Sequence, residues 1–129
     1  MATFKNICIV DDDELFLLVC NAIMEDEEFS EKIHNFEDAR NALEYLIATE
    51  DRSLPEVLFL DINMPMMDGW EFMDAFKEIK NVGKVKIYIT SSSINPLDLE
   101  KAEKNPFIKG FISKPINPEK LKKIAGDLK

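Results

Sequence analysis

Carboxylates follow two short apolar runs of the chain. Asp61 comes directly after residues 57–60, and Asp11 and Asp12 come directly after residues 7–10. If the fold brings three carboxylates together, their repulsion requires that one takes up a proton or that a cation binds among them. An all-oxygen ligand set suits Mg²⁺, which keeps several waters and pairs readily with a phosphoryl oxygen.

A hydroxyl and an ammonium group follow two further apolar runs. Thr90 comes after residues 85–89, and Lys114 comes shortly after residues 107–112. A carboxylate nucleophile beside a metal ion and a lysine can accept a phosphoryl group, because the cations neutralise the charge that develops during in-line transfer. Strand-end acids can also simply cap helices and pair with a lysine. That explanation suffices for any one of these residues, but the five together favour a site whose product is an acyl phosphate on Asp61.

The pattern of strands and helices predicts how these groups meet. Apolar runs at 7–10, 32–36, 57–60, 85–89 and 107–112 predict strands, and helical spacing predicts helices at 15–24, 39–47, 70–79, 96–104 and 118–128. Their alternation favours an α/β fold in which helices cover both faces of a five-stranded parallel sheet. In the strand order 2-1-3-4-5, the third strand lies between the first and the fourth. Asp61 then has Asp12 on one side and Thr90 on the other, at the edge where such sheets bind ligands.

Composition narrows the classes of partner. The chain has 129 residues and a net charge of −9, which disfavours binding to nucleic acid or to anionic lipid. Residues 1–129 are expected to form one domain without a leader or a membrane span, in a cytoplasmic protein. Cys8 and Cys20 lack partners at metal-binding spacing and are expected to be reduced core residues. His34 is expected to be an ordinary residue of an edge strand.

Four motifs, at residues 9–14, 60–69, 89–91 and 110–115, together resemble the receiver domain of two-component response regulators. They occur in the family's order over almost the whole chain, and the similarity is to single-domain members such as the chemotaxis response regulator. The resemblance implies a flavodoxin-like, doubly wound (βα)5 fold. It also implies a signalling phosphoacceptor that catalyses its own phosphorylation and dephosphorylation.

The resemblance assigns a metal site and a phosphoacceptor. Asp61 matches the phosphorylated aspartate, and Asp11 and Asp12 match the acidic pair. Asp61, Asp12 and the backbone carbonyl of Asn63 are then the implied direct ligands of Mg²⁺, or of Mn²⁺ in its place, and Asp11 completes the acidic set.

The remaining motif residues match the parts of a switch. Thr90 matches the hydroxyl that bonds the phosphoryl group, and Lys114 matches the lysine that pairs with it. Phe111 matches the aromatic position that turns inward when Thr90 moves. Pro115 matches a proline that follows a cis peptide bond.

The implied partners are a histidine kinase or a histidine phosphotransfer protein, which donates the phosphoryl group, and an unknown downstream protein. The donor is expected to dock near the first helix, whose apolar residues exceed what one buried face needs; packing against both the sheet and a neighbouring helix is the equal alternative. No output domain is expected. Candidates for the signalling surface formed by helix four, strand five and helix five are Ile94, Leu97, Lys101, Phe107 and Phe111.

Two other functions fit part of the pattern. A phosphohydrolase of the haloacid dehalogenase type also uses an aspartate nucleophile and Mg²⁺, although the chain is short for that fold and has no cap for a substrate pocket. A pseudo-receiver that only binds partners is disfavoured because every position with a chemical role is filled.

Overall fold

The computed structural model describes residues 2–93 and 95–128. The strands are β1 (Phe4–Val10), β2 (Ser30–Phe36), β3 (Val57–Asp61), β4 (Lys86–Ser91) and β5 (Ile108–Ser113). The helices are α1 (Glu14–Asp26), α2 (Ala39–Ala48), α3 (Gly69–Phe76), α4 (Pro96–Lys104) and α5 (Pro118–Leu128). Each predicted strand and helix is present. β1 begins earlier than predicted because its first residues pair with β2 through backbone hydrogen bonds, which do not require apolar side chains.

The five strands form one parallel sheet in the order β2-β1-β3-β4-β5, which confirms the prediction. The central strand, β3, is buried along its whole length, as expected for a parallel strand covered on both faces. Asp61, its last residue, lies directly beside Thr90 of β4. The sheet thus carries the acidic residue to the edge where the carboxyl ends of the strands meet.

Helices cover the two faces of the sheet and divide the core into two clusters. Leu58 and Leu60 point to the face covered by α2 and α3, whereas Val57 and Phe59 point to the face covered by α1 and α5. This alternation follows from the two-residue period of a strand. Cys8 and Cys20 are buried, as predicted, and lie as free thiols on opposite faces of the sheet.

The α1 helix presents apolar side chains to solvent. Asp13 caps its first turn, accepting hydrogen bonds from the backbone N–H groups of Leu15 and Phe16. Leu15, Leu18 and Val19 are 67%, 68% and 43% exposed. Packing within the chain therefore does not account for the apolar excess of α1.

His34 has a structural role. Its Nε2 lies 2.8 Å from Oδ1 of Asn6, and its ring packs 5.1 Å from the ring of Tyr45. Burial, followed by the nearby charge of Lys32, lowers the pKa of His34.

Among the described helices, none has the length and apolar character needed to cross a bilayer.

Candidate functional site

Three carboxylates meet at the carboxyl edge of the sheet. Asp11 follows β1 directly and is fully buried, Asp61 ends β3 and is 4% exposed, and Asp12 is open to solvent. One carboxylate oxygen from each lies within 4.8 Å of the others. Two of the three carboxylates are therefore buried, and the third, Asp12, is accessible to water.

Lys114 enters this cluster from the loop after β5. Its Nζ lies 2.7 Å from Oδ2 of Asp11 and 3.5 Å from Oδ2 of Asp61. Burial by itself lowers the pKa of Lys114, but the hydrogen bond and charge of Asp11, followed by the charge of Asp61, outweigh burial and raise the pKa. The lysine is therefore a cation that pairs more closely with Asp11 than with Asp61.

Backbone and ring contacts fix the position of Lys114. Its N–H donates to the carbonyl of Ser91 at 2.8 Å, and the peptide bond between Lys114 and Pro115 is cis. The ammonium group also lies 4.4 Å from the centre of the Phe16 ring, within the range of a cation–π interaction. Phe16 thus forms one wall of the site from α1.

The Asp61 carboxyl is harder to ionise than an ordinary aspartate. Burial is the main cause, and the charges of Asp11 and Asp12 act in the same direction. The N–H of Asn63, which donates to Oδ1 at 3.1 Å, and the charge of Lys114 oppose them. The result is a pKa of about 6, raised from 3.8.

The donor set fits a magnesium ion. Asp11, Asp12 and Asp61 supply only oxygen ligands, and the single positive charge of Lys114 leaves the four groups with an excess of negative charge when all are ionised. Mg²⁺ prefers carboxylate oxygens and retains waters, which the exposed side of Asp12 permits. The role of the Asn63 carbonyl as a further ligand remains a prediction.

The two switch positions lie on neighbouring strands. Thr90 is 1% exposed and lies next to Asp61, whereas Phe111 of β5 is partly buried and packs against the cluster on the α3 side of the sheet. Phe111 is aligned with Ile89, and Ile112 is aligned with Thr90. The structure places Thr90 beside Asp61, and the roles of Thr90 and Phe111 as switch residues remain predictions.

Sequence reasoning missed three contributors to the site. Phe16 fits the apolar pattern of α1 and Ser91 fits a polar run, so neither stands out, although Ser91 is buried and binds the Lys114 backbone. In the sequence, Gly69 indicates only a turn. A Cβ there would lie 2.7 Å from the Ile62 Cα, so glycine allows α3 to begin against the loop that follows Asp61.

The contacts of the candidate signalling residues differ. Leu97 is 67% exposed. Lys101 lies over the Trp70 ring, 5.4 Å from its centre, and Phe107 packs edge-on against Phe76 at 5.5 Å, so both contact α3. Ile94 lies outside the described residues.

The chain matches the family model for the response regulator receiver domain over residues 7–125. It is 27% identical over 125 residues to the probable methanogenesis regulatory protein FilR2 of Methanothrix harundinacea, covering 95% of this chain and 80% of that protein. Three further curated relatives are longer, and the chain covers between 31% and 56% of their lengths.

Solved structures agree with the family match. A two-component response regulator from Cytophaga hutchinsonii superposes with a TM-score of 0.86 at 27% identity, covering 96% of each chain. The chemotaxis response regulator CheY4 of Vibrio cholerae shares the fold, with a TM-score of 0.79 at 22% identity and coverage of 98% and 99%. The chain is therefore a member of the response regulator receiver domain family, the phosphoacceptor domains of two-component signal transduction.

Proposed function

We propose that this receiver accepts a phosphoryl group on Asp61 from a histidine kinase or a histidine phosphotransfer protein. The strongest support comes from the surroundings of Asp61. Its buried carboxylate forms a cluster with those of Asp11 and Asp12 and lies 3.5 Å from the ammonium group of Lys114. A nucleophile, ligands for a cation and a fixed positive charge are thereby combined at one sheet edge. These are the parts that phosphoryl transfer requires.

In the proposed reaction, an Asp61 oxygen attacks the phosphorus of a phosphohistidine. The new P–O bond forms as the P–N bond breaks, and the imidazole leaves with the bonding electron pair. A bound Mg²⁺, held by Asp11, Asp12, Asp61 and the Asn63 carbonyl, would neutralise negative charge on the phosphoryl oxygens. Lys114 would pair with a phosphoryl oxygen added to Asp61, a role supported by the 3.5 Å distance between its ammonium group and Asp61.

The new phosphoryl group would change the signalling surface through Thr90 and Phe111. The Thr90 hydroxyl is on the strand adjacent to Asp61, so a small shift would bring it into hydrogen-bonding range of a phosphoryl oxygen. Phe111 is only partly buried, so turning inward would increase its burial. This movement would favour a second arrangement of the surface formed by α4, β5 and α5, which a downstream protein could recognise.

The surface of α1 supports docking of the phosphoryl donor. The helix begins at Glu14, two residues after the acidic pair, and its exposed Leu15, Leu18 and Val19 form an apolar patch beside the site. Met66, which is 90% exposed, extends apolar surface along the loop after β3. A helical partner carrying a histidine could cover this patch while its imidazole reaches Asp61.

The test is incubation with a small phosphodonor and Mg²⁺, followed by intact-mass measurement. We expect one phosphoryl group per chain, stable in acid and labile in base, and no incorporation in Asp61→Asn or with a chelator. Asp13→Asn is the matched control: it removes the same charge next to Asp12, and asparagine still caps α1.

The result also separates the alternatives. Continuous hydrolysis of phosphate esters that survives Asp61→Asn would favour a phosphohydrolase. A chain that takes up no phosphoryl group and shows no response to Mg²⁺ would instead be a pseudo-receiver.

A further inference from the structure

A groove of about 530 Å³ lies between α3, the end of α4 and the start of β5. Trp70, Met73 and Phe107 provide its apolar surface, and Lys77, Lys101 and Lys104 surround them. The α3 residues are three or four positions apart and so share one face of that helix. The groove runs from Trp70, in the first turn of α3 beside the loop that follows Asp61, to Phe107, which precedes β5 at the opposite edge of the sheet.

The charge of the groove is opposite to that of the chain. The protein carries a net charge of −9, yet the described lining residues include three lysines and one acid, Asp74. Lys104 pairs with Glu100 at 2.8 Å, but both side chains are largely exposed, at 74% and 58%. Such a surface pair contributes little and can exchange partners readily. Two further acids border the groove, Asp98 beside Trp70 and Glu100 beside Lys104. Within the described residues, however, Lys77 and Lys101 form no salt bridge, so these two lysines offer positive charge to a negatively charged segment.

Contacts between the helices hold the groove open before any partner binds. The indole Nε1–H of Trp70 donates to Oδ1 of Asp98 at 3.0 Å, which joins α3 to the first turn of α4. One turn later, Lys101 lies over the same ring. On the other side, Phe107 packs against Phe76. A preformed groove loses less conformational freedom on binding, and its size is typical of a site that accepts a side chain or a small ligand.

We propose that this groove binds an acidic peptide segment of a partner protein. An aromatic side chain of the segment would pack on Trp70 and Phe107, which are partly exposed. The flanking carboxylates would pair with Lys77, Lys101 and Lys104. Charge complementarity selects this occupant, because an acidic segment is repelled by the rest of a strongly negative chain and attracted here. The proposal goes beyond phosphoryl transfer and does not depend on Asp61.

The probe is a synthetic peptide with blocked ends and the sequence Asp-Glu-Phe-Glu-Asp, titrated into the ¹⁵N-labelled protein. The chain has one tryptophan, so the indole N–H signal reports on the groove without ambiguity. We expect this signal and the amide signals of residues 73–77 and 101–107 to shift in a saturable manner. The peptide with alanine in place of phenylalanine should bind more weakly.

Charge-reversal variants complete the test. Lys77→Glu combined with Lys101→Glu should weaken binding about tenfold, since two attractive charge pairs become repulsive. Lys77→Glu alone should weaken it less, and it leaves the contact of Lys101 with Trp70 in place. Lys32→Glu is the matched control, because Lys32 is exposed on β2, the far edge strand of the sheet.

Three results would overturn the proposal. They are no shift of the indole signal, weakening of binding by Lys32→Glu equal to that by Lys77→Glu, or binding of the alanine peptide as tight as that of the phenylalanine peptide. The first would show that the groove takes no such peptide. The second would show attraction to charge anywhere on the surface, and the third would show that the apolar surface of the groove takes no part.

Discussion

Replacing Asp61 by asparagine should stabilise the fold while abolishing phosphorylation. Asp61 is 4% exposed, and its pKa is raised from 3.8 to about 6, so ionising it costs the folded state more than the unfolded state. Each pKa unit corresponds to about 1.36 kcal/mol. The shift therefore corresponds to about 3 kcal/mol at a pH where the carboxyl is ionised in both states. Asparagine retains an acceptor for the Asn63 N–H but adds an amide that needs its own partner, so we expect a net gain of about 1 to 3 kcal/mol.

The gain depends on pH in a defined direction. A carboxyl whose pKa is raised in the folded state destabilises that state at high pH, and the penalty disappears as the folded protein takes up a proton. With the folded pKa at about 6 and the unfolded value at 3.8, the advantage of Asp61→Asn is complete above about pH 7. It falls to roughly half by pH 5, and little remains at pH 4.

Urea denaturation in the presence of a chelator, at pH 7.5 and at pH 5, measures this difference. Asp74→Asn, at an exposed position of α3, removes the same charge without the burial and should change the free energy of unfolding by less. The explanation would be refuted by an Asp61→Asn variant that is no more stable than the original protein at pH 7.5. An advantage of equal size at both pH values would also refute it, because titration of Asp61 would then not be its source.

Three further predictions rest on single contacts. In thermal denaturation, the Tm of the original protein should rise in proportion to the logarithm of the Mg²⁺ concentration once the site approaches saturation. Asp12→Asn should shift this dependence to higher Mg²⁺ concentrations. An unchanged dependence would exclude Asp12 as a ligand. Gly69→Ala should lower the free energy of unfolding by about 1 to 3 kcal/mol, since the new Cβ would meet the Ile62 backbone at 2.7 Å. Gly126→Ala is the control. Its new Cβ would meet no neighbouring element within 4 Å, so this substitution should not destabilise the fold. Trp70→Phe keeps a ring in place but removes the hydrogen bond to Asp98, so amide hydrogen exchange in α4 should quicken by a factor corresponding to about 1 kcal/mol; unchanged exchange would show that this bond does not restrain α4.

The grouping of residues at the carboxyl edge of the sheet was predictable. Parallel strands place their carboxyl ends at the same edge, and this does not depend on how the side chains pack. Asp11, Asp61, Thr90 and Lys114 could therefore be placed together from strand ends alone. The preference of Lys114 for Asp11 was not predictable, since it depends on the path of a long side chain past the ring of Phe16. The assignment of Lys101 and Phe107 to a particular surface likewise required the packing of α3 against α4 and β5, which depends on helix orientation and not on strand order.

The pairing of Lys114 with Asp11 separates folding from the supply of metal. A fully buried carboxylate needs a counterion, and the chain provides its own at 2.7 Å, so that folding need not wait for an ion from the medium. Asp61, at 3.5 Å from the same ammonium group, is compensated less fully. The weaker compensation thus falls on the buried carboxylate that we propose as the phosphoacceptor. A cation or phosphoryl group that binds here as proposed would act on a domain that is already assembled, and its binding energy would be available for signalling.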